Sequence, residues 1–283
     1  MAVISGLFIY PLKSGRGIAL DESRITMSGL KWDRHWMAVD TSGRFLSQRT
    51  HPLLARVVPE LTDDALVLHA PDQSPLRLPL EPDRAAEPHT ATSVRVWEDS
   101  CTGFDQGEPA AQWISQALGV PARLMRAAPE PDRLADARYA GPYPVPIAFP
   151  DAFPLLVCNR ASLDGLNRRM PEAIPMERFR PNIVLEGLPE FAEDGIDTLQ
   201  AGEVTLRLVK PCTRCIITST DQHTGERSTN PLPVLRTFRF SRELLGVTFG
   251  ENAVVIHGMD ALLKVGILCV PTFEPVTPAP TLA

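Results

Sequence analysis

Short apolar runs bounded by polar residues, glycine and proline recur along the chain and predict β-strands. The predicted strands cover residues 3–10, 36–39, 66–69, 94–97, 155–158, 183–185, 204–209, 216–220, 253–256 and 267–270. Helical periodicity marks fewer segments, which are residues 109–118, 161–170 and 232–238. Because a full helical crossover rarely separates two strands, the pattern predicts a mainly β (α+β) protein with a β-barrel and peripheral helices.

The length and composition bound the domain organisation. The chain has 283 residues, of which 44% are hydrophobic, and this is enough for a sizeable core and one or two domains. Residues 127–150 are rich in proline, alanine and charge, and they predict a connection between a β-rich domain at 1–126 and a barrel domain at 127–274. Residues 275–283, rich in Pro, Thr and Ala, predict a flexible tail.

The net charge and the cysteine content limit which classes of partner and which cellular compartment the protein can have. The net charge of −6 argues against a nucleic acid or an anionic membrane surface as the main partner. The sequence has no run of about 18 apolar residues, so it predicts no membrane span, and its first residues lack the basic region of a signal peptide. Five cysteines without disulfide-framework spacing suit a reducing compartment, which predicts a cytoplasmic protein.

The most specific chemical signal is the pair Cys212 and Cys215 in the string Lys-Pro-Cys-Thr-Arg-Cys. A redox pair of this spacing sits where a strand turns into a helix, but the β-branched residues 216–220 predict a strand instead. A structural zinc site needs about four ligands, and the other three cysteines are scattered singly. The pattern favours a single cysteine thiolate that coordinates a soft metal, with the other ligands of that metal supplied by a cofactor.

This string resembles the molybdenum-cofactor segment of MOSC-domain proteins, and in particular of the mitochondrial amidoxime-reducing component and its bacterial relatives, which reduce N-hydroxylated compounds. Further matches follow in the family's order at residues 10–14, 33–36, 107–113, 161–167, 179–184 and 249–252. Each string alone is weak, but their joint occurrence is specific. The resemblance implies an N-terminal β-rich MOSC-N domain followed by a MOSC β-barrel.

The resemblance also implies a molybdenum cofactor and a set of residues that bind it. The implied cofactor-binding residues are Lys13, Ser14, Arg34, Arg180, Asn182 and Cys215. Cys215 corresponds to the molybdenum ligand, whereas Cys212 corresponds to a cysteine that does not bind the metal. Arginine forks and a lysine point charge suit the cofactor's phosphate, and the amide of Asn182 suits the edge of a pterin. Pyridoxal phosphate binding attaches to the family as a whole and is given no residues here.

Asp221 follows the cysteine pair and is the candidate acid. By resemblance it is a catalytic residue that orients the substrate or passes a proton to a reducing N–OH group. The alternative is that Asp221 caps the loop at residues 222–225, since aspartate is a favoured turn residue.

The resemblance implies a reductase of N-hydroxylated bases, amidoximes or hydroxamates. Its electrons would come from a separate ferredoxin-like or flavin protein, because the chain lacks the four-cysteine ferredoxin-like domain of some bacterial relatives. One alternative is a molybdenum-cofactor or sulfur carrier in which Cys215 holds a persulfide. A third reading is a β-barrel protein whose cysteine pair is purely structural.

One departure from the family falls near the predicted site. Amidoxime reducers carry Thr-Ser before a proline where this chain has Ala152 and Phe153 before Pro154. Contacts made by those hydroxyls cannot be made by these side chains.

Overall fold

The computed structural model describes residues 1–81, 91–142 and 144–273, and most of its elements are strands. The strands are β1 (Ala2–Ile9), β2 (Ile18–Leu20), β3 (Glu22–Thr26), β4 (Gly29–Leu30), β5 (Trp36–Val39), β6 (Val58–Leu61), β7 (Ala65–His69), β8 (Leu76–Pro79), β9 (Ala91–Val96), β10 (Asp99–Asp105), β11 (Arg123–Ala127), β12 (Leu155–Asn159), β13 (Ile183–Glu186), β14 (Ile196–Ala201), β15 (Val204–Thr213), β16 (Phe240–Ser241), β17 (Gly246–His257), β18 (Leu262–Lys264) and β19 (Leu268–Phe273). The α-helices are α1 (Gly107–Leu118), α2 (Ala137–Ala140), α3 (Arg160–Asn167) and α4 (Leu232–Phe238). Short 3₁₀ helices cover Pro52–Arg56, Met176–Phe179, Ala192–Gly195 and Ile216–Ser219.

Seven strands form a closed barrel, as the mainly β fold class predicted. They pair in the order β12-β13-β1-β19-β14-β15-β17, and β17 pairs back to β12. The pair β12–β13 is parallel, with α3 in its connection, and the other pairs are antiparallel. The barrel interior is filled by buried aliphatic side chains, among them Ile4, Val157, Leu185 and Leu206. Closure leaves these strands no open edge and fixes where each of them ends.

The first strand of the chain is part of this barrel. β1 lies between β13 and β19, so Leu7 pairs with Ile183, and Ala2 pairs with Cys269. The division of the chain at residue 126 stays a prediction, but the sequence did not indicate this long-range pairing. The predicted tail at 275–283 lies outside the described residues.

A second group of strands lies beside the barrel. One sheet has the order β5-β11-β10-β9, and two three-stranded sheets have the orders β6-β7-β8 and β18-β3-β4. Helix α1 places Ile114 in the same buried cluster as Trp36 and Leu124, which confirms the helix predicted at 109–118. Across the described ranges, no helix is both long enough and apolar enough to cross a lipid bilayer.

The strand predicted at residues 216–220 is wrong, because these residues form a 3₁₀ helix, Ile216–Ser219. The carbonyl oxygen of Cys215 accepts hydrogen bonds from the backbone N–H of Thr218 (3.1 Å) and from its hydroxyl (2.9 Å). The hydroxyl of Ser219 donates to the carbonyl of Ile216 in the same way (2.7 Å). Local side-chain hydrogen bonds therefore outweigh the strand preference of the β-branched residues.

Candidate active site

A cavity of about 630 Å³ lies where several chain segments leave the barrel strands. These segments follow β1, precede β12, precede β13 and follow β15. The lining includes all six predicted cofactor-binding residues, which are Lys13, Ser14, Arg34, Arg180, Asn182 and Cys215. The closed barrel thus brings together residues that are up to about two hundred positions apart in the sequence.

Two of the predicted arginines lie against the same aromatic ring. The guanidinium carbons of Arg34 and Arg180 are 4.4 and 4.1 Å from the ring centroid of Tyr10. Tyr10 is buried, donates its hydroxyl hydrogen to the carbonyl of Pro181 (3.1 Å), and has a pKa raised by burial. The neutral ring therefore holds the two cations in place through cation–π contacts without neutralising them.

Arg180 is a half-buried cation with no matching anion in the part of the chain that the structure describes. It donates hydrogen bonds to the carbonyl of Gly15 (2.6 Å) and to Oε1 of Gln222 (3.4 Å). No carboxylate among the described residues forms an ion pair with it, whereas Arg34 pairs with Asp33. Burial lowers the pKa of Arg180 to about 10, so the side chain stays charged at neutral pH. Even a half-buried charge without a partner is costly, and an anion in the cavity would compensate it.

The backbone at three of the predicted residues has the left-handed conformation. The φ angles are 65° at Ser14, 50° at Arg34 and 55° at Arg180. This region is uncommon for residues other than glycine and costs about 1–3 kcal/mol at each position. Such outliers cluster at ligand-binding sites, because the surrounding structure fixes them to aim particular side chains.

Lys13 is a buried cation that forms an ion pair with the half-exposed Asp151 at the side of the cavity. Its Nζ donates to Oδ1 of Asp151 (2.5 Å) and to the carbonyl of Phe149 (2.7 Å). Burial lowers the pKa of Lys13 to about 8, in spite of the opposing effect of Asp151. Burial alone would raise the pKa of Asp151, but the charges of Lys13 and Arg49 lower it below its usual range. The pair is therefore charged at neutral pH, and its lysine is close to its titration range.

The two cysteines of the motif have different surroundings. The sulfur of Cys212 accepts a hydrogen bond from Nη1 of Arg214 (2.9 Å), and burial raises the pKa of this thiol. Cys215 begins the 3₁₀ helix, lines the cavity and is partly exposed, and no described residue forms a hydrogen bond with its sulfur. Of the two sulfurs, that of Cys215 is the one left available to a ligand.

Arg214 fixes the chain between these two thiols. Its Nη2 donates to the carbonyl of Phe179 (2.7 Å), so the segment that carries Cys215 is tied to the segment before β13. The Nε atom of Arg214 is buried and lacks a hydrogen-bond partner within the described ranges. An unsatisfied donor in the lining again indicates room for an acceptor that is supplied by a ligand.

Asn182 is largely engaged inside the protein. Its Oδ1 accepts from Nη1 of Arg34 (3.0 Å) and from the backbone N–H of Leu156 (3.1 Å), and its Nδ2 donates to the carbonyl of Phe8 (3.1 Å). Both acceptor positions of the amide oxygen are thus in use, which leaves one N–H for a ligand. The structure favours a role in positioning Arg34 over the predicted paired contact with a pterin.

Asp221 lies outside the set of described residues that line the cavity. Its Oδ1 accepts from the backbone N–H groups of His223 (2.9 Å) and Thr224 (3.0 Å), and its Oδ2 accepts from Arg178 (3.2 Å). These backbone hydrogen bonds lower its pKa. The contacts are those of a loop cap, the alternative considered from the sequence, and they do not place Asp221 beside a substrate.

Sequence reasoning missed several lining residues. These are Arg49, Trp97, Asp151, Lys210 and Arg214. Lys210 and Arg214 stood inside the cysteine motif, so their place in it was the available signal, and Asp151 directly precedes the departure at Ala152. Arg49 and Trp97 are brought to the cavity by the fold alone.

The cavity is strongly cationic in a chain with a net negative charge. Its described lining carries six cationic side chains and one carboxylate. This donor set fits a group that bears a phosphate and an electron-rich metal–sulfur head. In the described part of the chain, no three His, Cys, Asp or Glu side chains are grouped to hold a metal ion. A metal bound in the described part of the cavity would therefore need ligands of non-protein origin.

Two known domain families match the chain. The MOSC N-terminal beta barrel domain matches residues 1–121, and the MOSC domain matches residues 144–266. The chain belongs to the MOSC-domain proteins that carry both of these domains.

Within that family the similar proteins are amidoxime-reducing components. The chain is 34% identical to human mitochondrial amidoxime-reducing component 1 over 283 residues, which cover 94% of this chain and 82% of the relative. It is 33% identical to the mouse protein of that name over 247 residues (84% and 72%), and 34% identical to bovine mitochondrial amidoxime reducing component 2 over 254 residues (84% and 73%). A solved structure, the YUAD protein from Bacillus subtilis, aligns with 97% of this chain and 98% of its own at 11% identity, but its TM-score of 0.43 is too low to support a conclusion.

Proposed function

We propose that this protein is a molybdenum-cofactor-dependent reductase of N-hydroxylated compounds such as N-hydroxylated bases, amidoximes and hydroxamates. The relatives named amidoxime-reducing components support the reaction class. The observation that carries the proposal is the half-buried guanidinium of Arg180, which forms no ion pair with a described carboxylate, in the same cavity as the available thiol of Cys215. An anionic cofactor with a thiolate-binding metal would satisfy both groups at once.

The residues of the cavity divide the work of holding the cofactor. Arg34, Arg180 and Lys13 would neutralise its anionic parts, with Ser14 as a further hydrogen-bond donor. Cys215 would supply the protein's thiolate to the metal, and Arg214 would hold the segment that carries it. When bound, the cofactor supplies the two-electron reduction that cleaves the N–O bond.

Cleavage of an N–O bond to amine and water also consumes two protons. Lys13 is the group in the cavity best suited to supply one, because its Nζ is protonated at neutral pH and titrates near pH 8. Asp151, half-exposed and bonded to that Nζ, connects it to the solvent. We therefore propose that Lys13 delivers a proton and that Asp221 caps its loop.

Two earlier expectations stay predictions. A separate ferredoxin-like or flavin protein is expected to supply the electrons, and the cytoplasmic location rests on the cysteine pattern, whereas the named relatives are mitochondrial. The electron donor can be identified as the protein that replaces an artificial donor in a turnover assay, and the location can be measured by cell fractionation.

The decisive experiment measures molybdenum and pterin content in protein purified from a cofactor-competent host. Wild type is compared with Cys215→Ser and with Cys212→Ser, a matched change to the neighbouring cavity thiol. We expect near-stoichiometric metal and pterin in wild type, loss of metal in Cys215→Ser, and retention in Cys212→Ser.

Two results would count against the proposal. If wild-type protein contains neither metal nor pterin, the protein does not hold the proposed cofactor. If the two variants contain equal amounts of metal, Cys215 is not the ligand of the metal. Bound cofactor without turnover of benzamidoxime and an artificial donor would instead favour the carrier alternative.

A further inference from the structure

One side of the cavity is formed by residues that the proposed cofactor does not use. The guanidinium carbon of Arg49 lies 4.4 Å from the ring centroid of Trp97. The Nη2 atom of the same guanidinium is 3.2 Å from Oδ2 of Asp151. A planar cation thus stacks on an indole and pairs with a carboxylate, and all three side chains line the cavity.

Trp97 occupies an unusual backbone position. It begins the tight turn of the β9–β10 hairpin, in which Val96 pairs with Asp99. Its φ angle is 58°, a conformation rare for a bulky residue and normally given to Gly or Asn in such a turn. The indole remains 37% exposed and packs edge-on against Phe45, with 5.0 Å between the ring centroids. An exposed aromatic side chain held at a backbone cost is expected to serve as a binding surface.

Asp151 is held in place by contacts that leave its Oδ2 atom able to exchange Arg49 for another partner. Its Oδ1 bonds to the buried Lys13, and its backbone carbonyl accepts from Nη2 of Arg133 (2.6 Å). Its Oδ2 is held by Arg49, while the side chain as a whole is 49% exposed. If Arg49 moved away, the carboxylate would remain paired with Lys13 and would offer one free oxygen to a ligand.

We propose that Asp151 and Trp97 form the recognition site for the planar N–C–N head group of the substrate, and that Arg49 fills this site when no substrate is bound. Amidoximes, hydroxyguanidines and their reduced products share with a guanidinium the flat N–C–N unit, the N–H donors and a face that stacks on an aromatic ring. A hydroxamate lacks that unit. The inference deepens the proposed function by selecting amidine-type substrates, and it rests on that function only for naming the ligand as a substrate.

The exchange follows from the contacts that Arg49 makes. An incoming amidine would replace the ion pair of Arg49 with Asp151 and its stacking contact with Trp97. The exchange therefore keeps the same two kinds of contact. Arg49 is therefore a competitor of the ligand. Removing the side chain of Arg49 should strengthen binding of the amidine, whereas removing the side chain of an ordinary contact residue would weaken that binding.

The test is calorimetric titration of the full chain with benzamidine, with neutral benzamide as the comparison ligand. We expect Arg49→Ala to bind benzamidine about 10-fold more tightly than wild type, which corresponds to about 1.4 kcal/mol. In that background, Asp151→Asn and Trp97→Ala should each weaken binding about 10-fold. Arg77→Ala, which removes an arginine from an exposed ion pair with Asp64 outside the cavity lining, should match wild type.

Several outcomes would overturn the inference. It is wrong if Arg49→Ala binds benzamidine no more tightly than wild type, or if benzamide binds as well as benzamidine. Trp97→Ala guards against the possibility that Asp151→Asn fails to fold after losing the partner of Lys13. If both fold and neither weakens binding, the site lies elsewhere.

The titration is run on protein from a cofactor-competent host and from a host without the cofactor, because this site needs no metal. Metal content and benzamidoxime turnover without benzamidine binding would overturn only the recognition site. Benzamidine binding to protein that never acquires metal would overturn only the proposed reductase.

Discussion

Replacing Asn182 by alanine should destabilise the protein even when no cofactor is present. The side chain is only 1% exposed and joins three segments of the chain through Arg34, the N–H of Leu156 and the carbonyl of Phe8. Alanine would remove this partner from all three groups. Arg34 keeps its ion pair with Asp33, but the N–H of Leu156 and the carbonyl of Phe8 each lose the hydrogen bond, and each buried unsatisfied group costs about 1–3 kcal/mol. Since some of them can regain water from the cavity, we expect a total loss of about 3–5 kcal/mol.

The assay is urea unfolding of cofactor-free protein, followed by circular dichroism. Asn252→Ala is the matched control, because Asn252 lines the same cavity but its Nδ2 makes one hydrogen bond, to the carbonyl of Lys210 (3.1 Å). Its expected loss is about 1 kcal/mol. Equal losses in the two variants would refute the positioning role of Asn182. A loss of stability in Asn182→Ala that is seen only in cofactor-loaded protein would support the predicted contact of Asn182 with the pterin.

Two further predictions concern buried polar groups. Gln48 and Gln222 exchange reciprocal amide hydrogen bonds of 3.0 Å, so a double-mutant cycle of the two alanine variants should give a coupling of about 1–2 kcal/mol in the unfolding free energy, and additive losses would contradict the pairing. Burial, assisted by Asp194, raises the pKa of Glu251 to about 9, against 4.5 as its ordinary value. The folded protein keeps this proton at pH values where the unfolded chain loses it, so stability should fall as pH rises from about 5 to 9. Glu251→Gln should flatten that fall in urea midpoints measured across the range, and an unchanged slope would exclude Glu251 as its source.

The six candidate cofactor-binding residues could be proposed from the sequence because each of them lies in a short string that resembles the family. Arg34 and Arg180 have left-handed backbones inside such strings, and the structure brings both to Tyr10. The family resemblance therefore identified candidate site residues that composition and periodicity could not identify. It did not carry Arg49 and Trp97, because their place at the cavity depends on how separate strands and turns pack together.

Local pattern failed where short-range hydrogen bonds or distant pairings decide the structure. Residues 216–219 look like a strand by composition, but the hydroxyls of Thr218 and Ser219 close a 3₁₀ helix. Asp221 was a reasonable acid beside the motif, yet backbone N–H groups two and three residues on hold its carboxylate. No local signal in β1 shows that its partners lie at β13 and β19.

The placement of β1 has a consequence for how the chain is made. A ribosome produces this strand first, but its barrel neighbours are Ile183–Glu186 and Leu268–Phe273. At about 5–20 residues per second, β1 waits on the order of ten to forty seconds before β13 exists. Until then β1 can pair only with the short strand β2 (Ile18–Leu20), so its other edge stays open and exposes the nascent chain to chaperones and to aggregation. The barrel can close only after β19 has been made, so the earliest strand of the barrel is among the last to gain all of its partners.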